Sequence, residues 1–372
     1  MAPKAESIIY ELLEMAAIKI NGHERYDILV HDERFYERVL RDSALGLGES
    51  YMDGWWDCEA LDELFYRILS SGIHHRIKHS LPLKWHVLKS RLFNLQNRDR
   101  AYQVGKHHYD VGNDLYRAML DKRMNYSCAY WKNADQLDEA QEAKLAMICK
   151  KIDLREGMTV LDIGCGWGAF AKFAAEMYGV SVTGITVSKN QYELGNELCH
   201  ELPVEIRLQD YRAVKGSFDR VISIGSFEHI GYKNHRTYME VVNRTLKEDG
   251  IAFIQTIGQN KSSTTMNPWT IKYIFPNGQV PSIRQIGSAA ENLFVIEDWH
   301  NFGPDYDKTL MAWYENFENA WPKLKIHYDD RFRRMWRYYL LSSAAGFRSR
   351  DNQLWQIVLT KIGRTQPEIR YC

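Results

Sequence analysis

The chain has 372 residues, of which 45% are hydrophobic and 26% charged, which suits one large folded unit or two smaller ones. Its 48 basic side chains equal its 48 acidic ones, so an overall basic field for binding nucleic acid is excluded. The cysteines include no CxxC pair, which argues against both a zinc site and a disulfide framework.

The N-terminus carries acidic residues early and lacks the long apolar core of a signal peptide. No apolar run approaches the ~20 residues that a membrane-spanning helix needs. These features predict a cytoplasmic protein that could touch the inner face of a membrane without crossing it.

Residues 1–95 are predicted to form a small, mostly helical domain. Apolar side chains recur there at the three- and four-residue steps of one helix face, as in the run from Leu61 to Leu69. The pattern predicts a helix that packs this stripe against a core. Residues 96–106 are interpreted as a basic linker and residues 107–372 as the catalytic domain.

Residues 74–108 are basic and amphipathic, with Asp99 as their only acid. Apolar side chains are interleaved with lysines and arginines, a composition typical of a segment that lies on an anionic membrane surface. A solvated helix between domains would have a similar composition, and both interpretations stay open. The basic residues that define the pattern include Lys84, Lys89, Arg91 and Arg98.

From residue 159 onward, predicted strands and helices alternate. Such alternation predicts an α/β fold, a mostly parallel, seven-stranded sheet covered by helices. The predicted strands are 159–164, 181–187, 204–210, 218–226, 251–258, 294–302 and 354–362. The predicted helices among them include 167–179, 188–202, with Ser188 as its N-cap, and 235–250.

Residues 259–293 interrupt this alternation. The stretch is long, aromatic and marked by proline and glycine. Because long loops without regular structure are usually functional, we interpret it as a substrate lid.

A glycine-rich turn, Asp162 to Gly168, links the first predicted strand of the sheet to its helix. Glycines let a turn pass close to a ligand at the carboxyl end of the sheet. The spacing is GxGxG, and the second strand ends without the acid that a dinucleotide site would use for the ribose. The turn therefore favours S-adenosylmethionine (SAM) and a class I methyltransferase over NAD.

Several motifs resemble the bacterial cyclopropane-fatty-acyl-phospholipid synthase family over nearly the whole chain. They are GLGESYMDGWWDC (46–58), HYDVGNDLY (108–116), YSCAYW (126–131), LDIGCGWG (161–168), FEHIG (227–231), KYIFPNG (272–278), EDWHNFG (297–303) and TLMAWYENF (309–317). The resemblance implies a SAM-dependent methyltransferase that acts on unsaturated membrane phospholipids and forms a homodimer. The N-terminal motif points to the phospholipid branch, since related mycolic acid synthases lack that domain.

The resemblance also implies site residues. It assigns to SAM the positions Tyr126, Ser127, Gly164, Gly166, Thr186, Ser188, Gln191 and Gln209. It assigns to a bound bicarbonate ion the positions Cys128, Glu228, Ile257 and Tyr306. The family usually has histidine at the position of Gln255, and this departure puts a fifth bicarbonate contact in question.

Cyclopropane formation places particular demands on a protein. Methyl transfer to a double bond leaves a carbocation, so the cavity must exclude water, and aromatic faces can stabilise the charge. A base must then remove a proton from the added methyl group. From the sequence, Glu228 is the side-chain carboxylate that best fits this role. Glu228 could instead be an acid at a helix start, Tyr306 a core tyrosine and Cys128 inert packing.

Two other functions remain open at this point. A SAM-dependent enzyme could methylate the same double bond and give a branched product without closing a ring. Alternatively, a protein without its base site could bind SAM and lipid without catalysis. Product analysis distinguishes the branching enzyme from a cyclopropane synthase. Turnover of labelled SAM distinguishes an enzyme from the non-catalytic protein.

Overall fold

The computed structural model describes residues 5–73 and 112–368. The basic stretch 74–108, with Lys84, Lys89, Arg91 and Arg98, lies outside the described residues, as do the predicted domain boundary and the linker 96–106. Within the described ranges, no helix has both the length and the hydropathy that a membrane crossing requires.

The N-terminal segment is mostly helical, as predicted. Its helices are α1 (Ala5–Glu14), α2 (Arg34–Asp42), α3 (Ala44–Met52) and α4 (Leu61–Ser70). Two short strands, β1 (Leu29–Val30) and β2 (Trp56–Asp57), pair antiparallel beside them. Leu61, Leu64 and Phe65 of the predicted stripe are buried, which confirms the core-facing helix.

The rest of the described chain forms one seven-stranded sheet with helices. Its strands are β3 (Thr159–Ile163), β4 (Ser181–Thr186), β5 (Val204–Leu208), β6 (Phe218–Ile224), β7 (Leu246–Gln259), β8 (Phe294–Asn301) and β9 (Asn352–Lys361). Its α-helices are α5 (Asn113–Met119), α6 (Leu137–Lys151), α7 (Ala169–Tyr178), α8 (Lys189–Leu198), α9 (His235–Thr245), α10 (Pro268–Tyr273), α11 (Ile283–Ala290), α12 (Pro304–Leu324) and α13 (Asp330–Arg348).

The strand order is β5-β4-β3-β6-β7-β9-β8. The first five strands pair in parallel, whereas β9 runs antiparallel between β7 and β8. This order confirms the predicted mostly parallel sheet. It also brings the carboxyl ends of β3, β4, β5 and β6 to one edge, where ligands bind in such sheets.

The predicted helix 235–250 ends earlier than expected. Helix α9 stops at Thr245, and Leu246 already belongs to β7, where it pairs with Phe218 of β6. Leu246 is buried on the sheet, so tertiary pairing outweighs the helical pattern of the preceding residues.

The expectation that 259–293 lacks regular structure is wrong. The segment contains α10 and α11, and both helices begin at side-chain caps. Asn267 accepts a hydrogen bond from the Trp269 backbone, and Ser282 forms a reciprocal capping box with Gln285. The helices are only six and eight residues long, too short for a periodic pattern to stand out.

The N-terminal helices pack directly on the catalytic part. Arg334 of α13 donates hydrogen bonds to the carbonyl oxygens of Tyr51 and Trp56. Trp269 of α10 lies so close to Gly48 that a Cβ there would come within 2.3 Å of the indole. One apolar core therefore runs from α1 through to α13.

Candidate active site

A cavity opens at the carboxyl ends of β3, β4, β5 and β6. Its walls come from the segment before α6, the glycine turn, the ends of β4 and β5, and the turn after β6. The residues that line it include Tyr126, Ser127, Lys144, Asp162, Gly164, Gly166, Thr186, Gln191, Gln209, Asp210, Arg212, His229 and Phe275.

The glycine turn is shaped for close approach of a ligand. Gly164 and Gly166 both have positive φ angles, 81° and 57°, which L-residues with side chains rarely adopt. A Cβ on Gly164 would lie 2.4 Å from the Cβ of Ser226, whereas one on Gly166 would meet nothing within 4 Å. A ligand in the cavity can therefore approach the backbone closely at Gly166.

Three predicted cofactor residues at the end of β4 form a connected polar group. The Thr186 hydroxyl donates to the Gln191 side-chain oxygen at 2.7 Å, and the Ser188 amide donates to Thr186 at 3.2 Å. Ser188 in turn accepts from the Gln191 amide and caps α8, as predicted. Thr186 and Gln191 line the cavity, while Ser188 holds the helix behind them.

The acidic and basic groups near Gln209 are paired with each other. Gln209 and Asp210 follow β5, and Arg212 lies two residues on. The Arg212 guanidinium contacts both carboxylate oxygens of Asp210, at 2.9 and 3.0 Å. This end of the cavity is therefore polar but electrically balanced.

Aromatic rings wall the other side of the site. The Tyr126 hydroxyl lies 2.9 Å from that of Tyr339, and its ring centroid lies 5.2 Å from those of both Tyr116 and Trp313. Tyr116 also packs on Trp167 at 4.9 Å. Tyr126 and Trp167 line the cavity and can offer π faces to a positive charge, whereas Tyr116 and Trp313 are fully buried behind them.

Glu228 is buried in the short turn after β6. One of its oxygens, Oε1, accepts a hydrogen bond from the Ile257 amide at 2.5 Å. Its Oε2 has no hydrogen-bond partner among the described residues. Burial raises the pKa of Glu228 to about 7, and the Ile257 hydrogen bond opposes that rise only in part.

Cys128 and Tyr306 lie on neighbouring elements. The Cys128 thiol donates to the Ala129 carbonyl at 3.1 Å, and burial raises the pKa of the thiol well above its usual value. The Ala129 amide donates to Thr309 of α12, which places the cysteine segment along the helix that carries Tyr306. The Tyr306 ring packs on Phe347 at 4.6 Å.

Gln255 makes its side-chain hydrogen bond within the sheet. Gln356 of β9 lies opposite it and donates from Nε2 to Gln255 Oε1 at 2.9 Å. Both amides are buried. Among the described residues, the structure shows no hydrogen bond from the Gln255 side chain to Glu228, Cys128 or Tyr306.

Several cavity residues were not anticipated from the sequence. Lys144, Arg212, His229 and Phe275 line the cavity without belonging to the predicted set. Phe275 comes from the segment between α10 and α11, so that segment reaches the site. Lys144 had a detectable signal: it is a lysine among mostly apolar residues on the buried face of α6.

Three comparisons with known proteins agree. A model of the mycolic acid cyclopropane synthetase family matches residues 96–357. The chain is 53% identical over 354 residues to the cyclopropane-fatty-acyl-phospholipid synthase of Escherichia coli strain K12, covering 95% of this chain and 93% of that protein.

Solved structures give the same picture. The cyclopropane synthase MmaA2 from Mycobacterium tuberculosis superposes with a TM-score of 0.67 at 29% identity, over 72% of this chain and 100% of that one. The mycolic acid cyclopropane synthase CmaA1, complexed with SAH and CTAB, gives a TM-score of 0.66 at 30% identity, with the same coverage of both chains.

Proposed function

Because the chain belongs to the mycolic acid cyclopropane synthetase family, we propose that it transfers the methyl group of SAM to the cis double bond of an unsaturated phospholipid acyl chain and closes a cyclopropane ring. The observation that carries the proposal is the similarity to the E. coli phospholipid enzyme over nearly the full chain. That match covers 95% of this chain, so it includes N-terminal helices that lie before residue 96, where the family model begins.

The cavity supports SAM as the methyl donor. The glycine cradle at Gly164 and Gly166 and the polar group at the end of β4 match an adenosine-containing ligand with many hydrogen-bonding atoms. We assign SAM contacts to Tyr126, Ser127, Gly164, Gly166, Thr186, Ser188, Gln191 and Gln209. Ser188 acts through the cap that holds Gln191 in place.

The aromatic wall supports reaction at a carbon–carbon double bond. Methyl transfer to an alkene develops positive charge on carbon, and water would capture that charge. Tyr126 and Trp167 line the cavity and can offer π faces, each worth about 0.5–2 kcal/mol to a nearby cation, while Tyr116 and Trp313 pack behind them and help to exclude water. No side chain in this wall is required to act as a nucleophile.

The proton must leave through a base near Glu228. We propose that bicarbonate binds there and supplies the base when bound, held by Glu228, Ile257 and Tyr306, with Cys128 and Gln255 nearby. The partnerless Glu228 Oε2 fits this assignment, because a buried oxygen without a donor costs roughly 1–3 kcal/mol. Glu228 would accept a hydrogen bond from the bicarbonate hydroxyl at that oxygen and so orient the ion, which would take the proton from the added methyl group.

Two further features belong to the proposal. We propose a homodimer that acts peripherally at the inner face of the membrane, with the basic stretch 74–108 as the anionic contact. We also propose that the segment 259–293 acts as a lid, because Phe275 lines the cavity while Lys272 donates to Glu49 of the N-terminal helices at 2.5 Å. Vesicle binding that weakens with added salt would support the electrostatic contact.

The test is mass spectrometry of a cis-unsaturated phospholipid after incubation with SAM and the protein. A lipid that gains the mass of one CH2 group and no longer carries its double bond supports the proposal. A methyl-branched product of the same mass that still has a double bond, or a methylated and hydroxylated product heavier by one water, would favour the branching methyltransferase. No turnover of labelled SAM, with SAH binding intact, would favour the non-catalytic alternative.

The same assay tests the base. Removal of dissolved carbon dioxide and bicarbonate should slow ring formation, and adding bicarbonate back should restore it. Normal turnover in a depleted sample, confirmed by analysis of the protein for trapped ion, would assign the base to a side chain instead.

A further inference from the structure

A lysine with no assigned role lies at one end of the cavity. Lys144 of α6 is fully buried, yet its ammonium group reaches the cavity wall. Its Nζ donates to Asn125 Oδ1 at 2.8 Å and to Ser127 Oγ at 3.1 Å. Burial of a cation is costly, so its position calls for a partner or a ligand.

Carboxylates surround this cation without forming a close ion pair with it. Burial lowers the pKa of Lys144 to about 8, and the nearby carboxylates of Asp121 and Asp162 oppose that change. Asp121 is already occupied, because it accepts hydrogen bonds from both the amide and the side chain of Asn125. Asp162, by contrast, lines the cavity.

The direction of the hydrogen bonds has a chemical consequence. An ammonium group donates and never accepts, so Ser127 Oγ is the acceptor in its contact with Lys144. The Ser127 hydroxyl hydrogen must then point elsewhere, and Ser127 lines the cavity. The hydrogen bond from Lys144 therefore leaves the Ser127 hydroxyl free to donate to a ligand at this end of the cavity.

The two charges together match one part of SAM. A buried ammonium favours an anion beside it, and the Asp162 carboxylate at the same end favours a cation. The α-amino acid end of SAM carries both a carboxylate and an ammonium group. The opposite end of the cavity, at Asp210 and Arg212, has its charges paired with each other.

We propose that Lys144 is a positioning residue that turns the Ser127 hydroxyl toward the carboxylate of the α-amino acid end of SAM, while Asp162 receives its ammonium group. The inference rests on the proposed use of SAM. It adds Lys144 as a residue that positions the α-amino acid end of SAM. It predicts that Lys144 matters for ligands with that end and not for ligands without it.

The test compares two ligands by calorimetry. SAH keeps the amino acid end, whereas 5′-methylthioadenosine lacks it. Lys144→Met should weaken SAH binding about 10- to 100-fold, in line with a charge-assisted hydrogen bond, and leave methylthioadenosine binding within about twofold. Methylthioadenosine binding also reports that the variant is folded, and Lys144→Gln replaces Lys144→Met if the latter does not fold.

The matched control is Gln141→Met. Gln141 lies one turn before Lys144 and donates from Nε2 to the Ser127 carbonyl at 2.8 Å, so it tethers the same segment without a charge. Gln141→Met should change the affinities for both ligands by the same factor. If Lys144→Met also changes both equally, or neither, the inference is overturned and Lys144 is structural.

A double-mutant cycle tests the route through Ser127. In a Ser127→Ala background, Lys144→Met should cost much less SAH affinity than in the wild type, because the hydroxyl it orients is gone. Equal losses in both backgrounds would overturn the route. Failure of the wild-type protein to bind SAH would instead overturn the proposed function itself, so the two failures are distinguishable.

Discussion

Two buried carboxylates lie at the same edge of the sheet and are held in opposite ways. Asp162, in β3, lies near the Lys144 ammonium, whereas Glu228 has no ion-pair partner among the described residues and one oxygen without a donor. Burial raises the pKa of each to about 7. The first carboxylate belongs to a charge-balanced ligand site, while the second is stable only when protonated or when a ligand supplies its partner.

The largest expected effect is the loss of turnover in Glu228→Gln, which distinguishes the role of Glu228 from that of Asp162. Glu228→Gln keeps the size of the side chain but removes its charge, so turnover should fall roughly 100-fold or more, the usual range for a group that serves a base. Affinity for SAH should stay within about threefold. The measurements are kcat on unsaturated vesicles and calorimetry with SAH, and unchanged turnover would remove Glu228 from the reaction.

The same variant should be more stable than the wild type at neutral and alkaline pH. The folded-state pKa of Glu228 is about 7, above its ordinary value of 4.5, so the folded state binds the proton more tightly. Wild-type stability therefore falls as pH rises from about 4.5 to about 7, by on the order of 3 kcal/mol, and Glu228→Gln lacks that loss.

Denaturant unfolding at pH 4.5 and pH 8 measures this difference in free energy of unfolding. The variant and wild type should agree at the lower pH and diverge at the higher. Glu11→Gln, at an exposed position on α1, is the matched control and should follow the wild type throughout. A constant offset at both pH values would mean that Glu228 is not buried as a lone acid.

The corresponding substitution of the other carboxylate, Asp162→Asn, should weaken the binding of SAH. Asp162→Asn removes the anion at the amino acid end of the cavity, so SAH affinity should fall about tenfold, or 1.4 kcal/mol. Turnover at saturating SAM should fall much less than in Glu228→Gln. If both variants lose turnover equally at saturation, the division of roles between the two carboxylates is wrong.

The smallest effect concerns Gln255. Gln255→His should keep turnover within about tenfold, since either side chain can donate a hydrogen bond to an ion. Gln255→Ala should be worse than both. Gln356→Leu is the matched control, because it removes the same hydrogen bond from the other strand.

Turnover of these variants across pH at fixed bicarbonate distinguishes two roles for Gln255. A loss in Gln255→Ala that Gln356→Leu does not share indicates contact with the ion. Equal turnover of Gln255→Ala and wild type would show that this position serves only the pairing of β7 with β9.

Much of the architecture was predictable because its signals are local. Alternating apolar strands and helices predicted the seven strands, and Ser188 before an amphipathic run predicted its cap. The end of α9 was not predictable, because Leu246 joins β7 only through its pairing with Phe218. The assignment of individual side chains to SAM and bicarbonate stays a prediction, drawn from motifs.

The sequence by itself determined the α/β class, the glycine turn and the family, because each is recognised from patterns of residues that lie close together along the chain. Only the tertiary structure decided what surrounds the buried charges. Lys144, Asn125 and Ser127 meet across a helix and a loop, and Glu228, in the turn after β6, meets Ile257 of β7. The burial of these groups and their hydrogen-bond partners depend on those long-range contacts. Their pKa values do too, because a pKa is shifted by groups that are close in space, whether or not they are close in sequence.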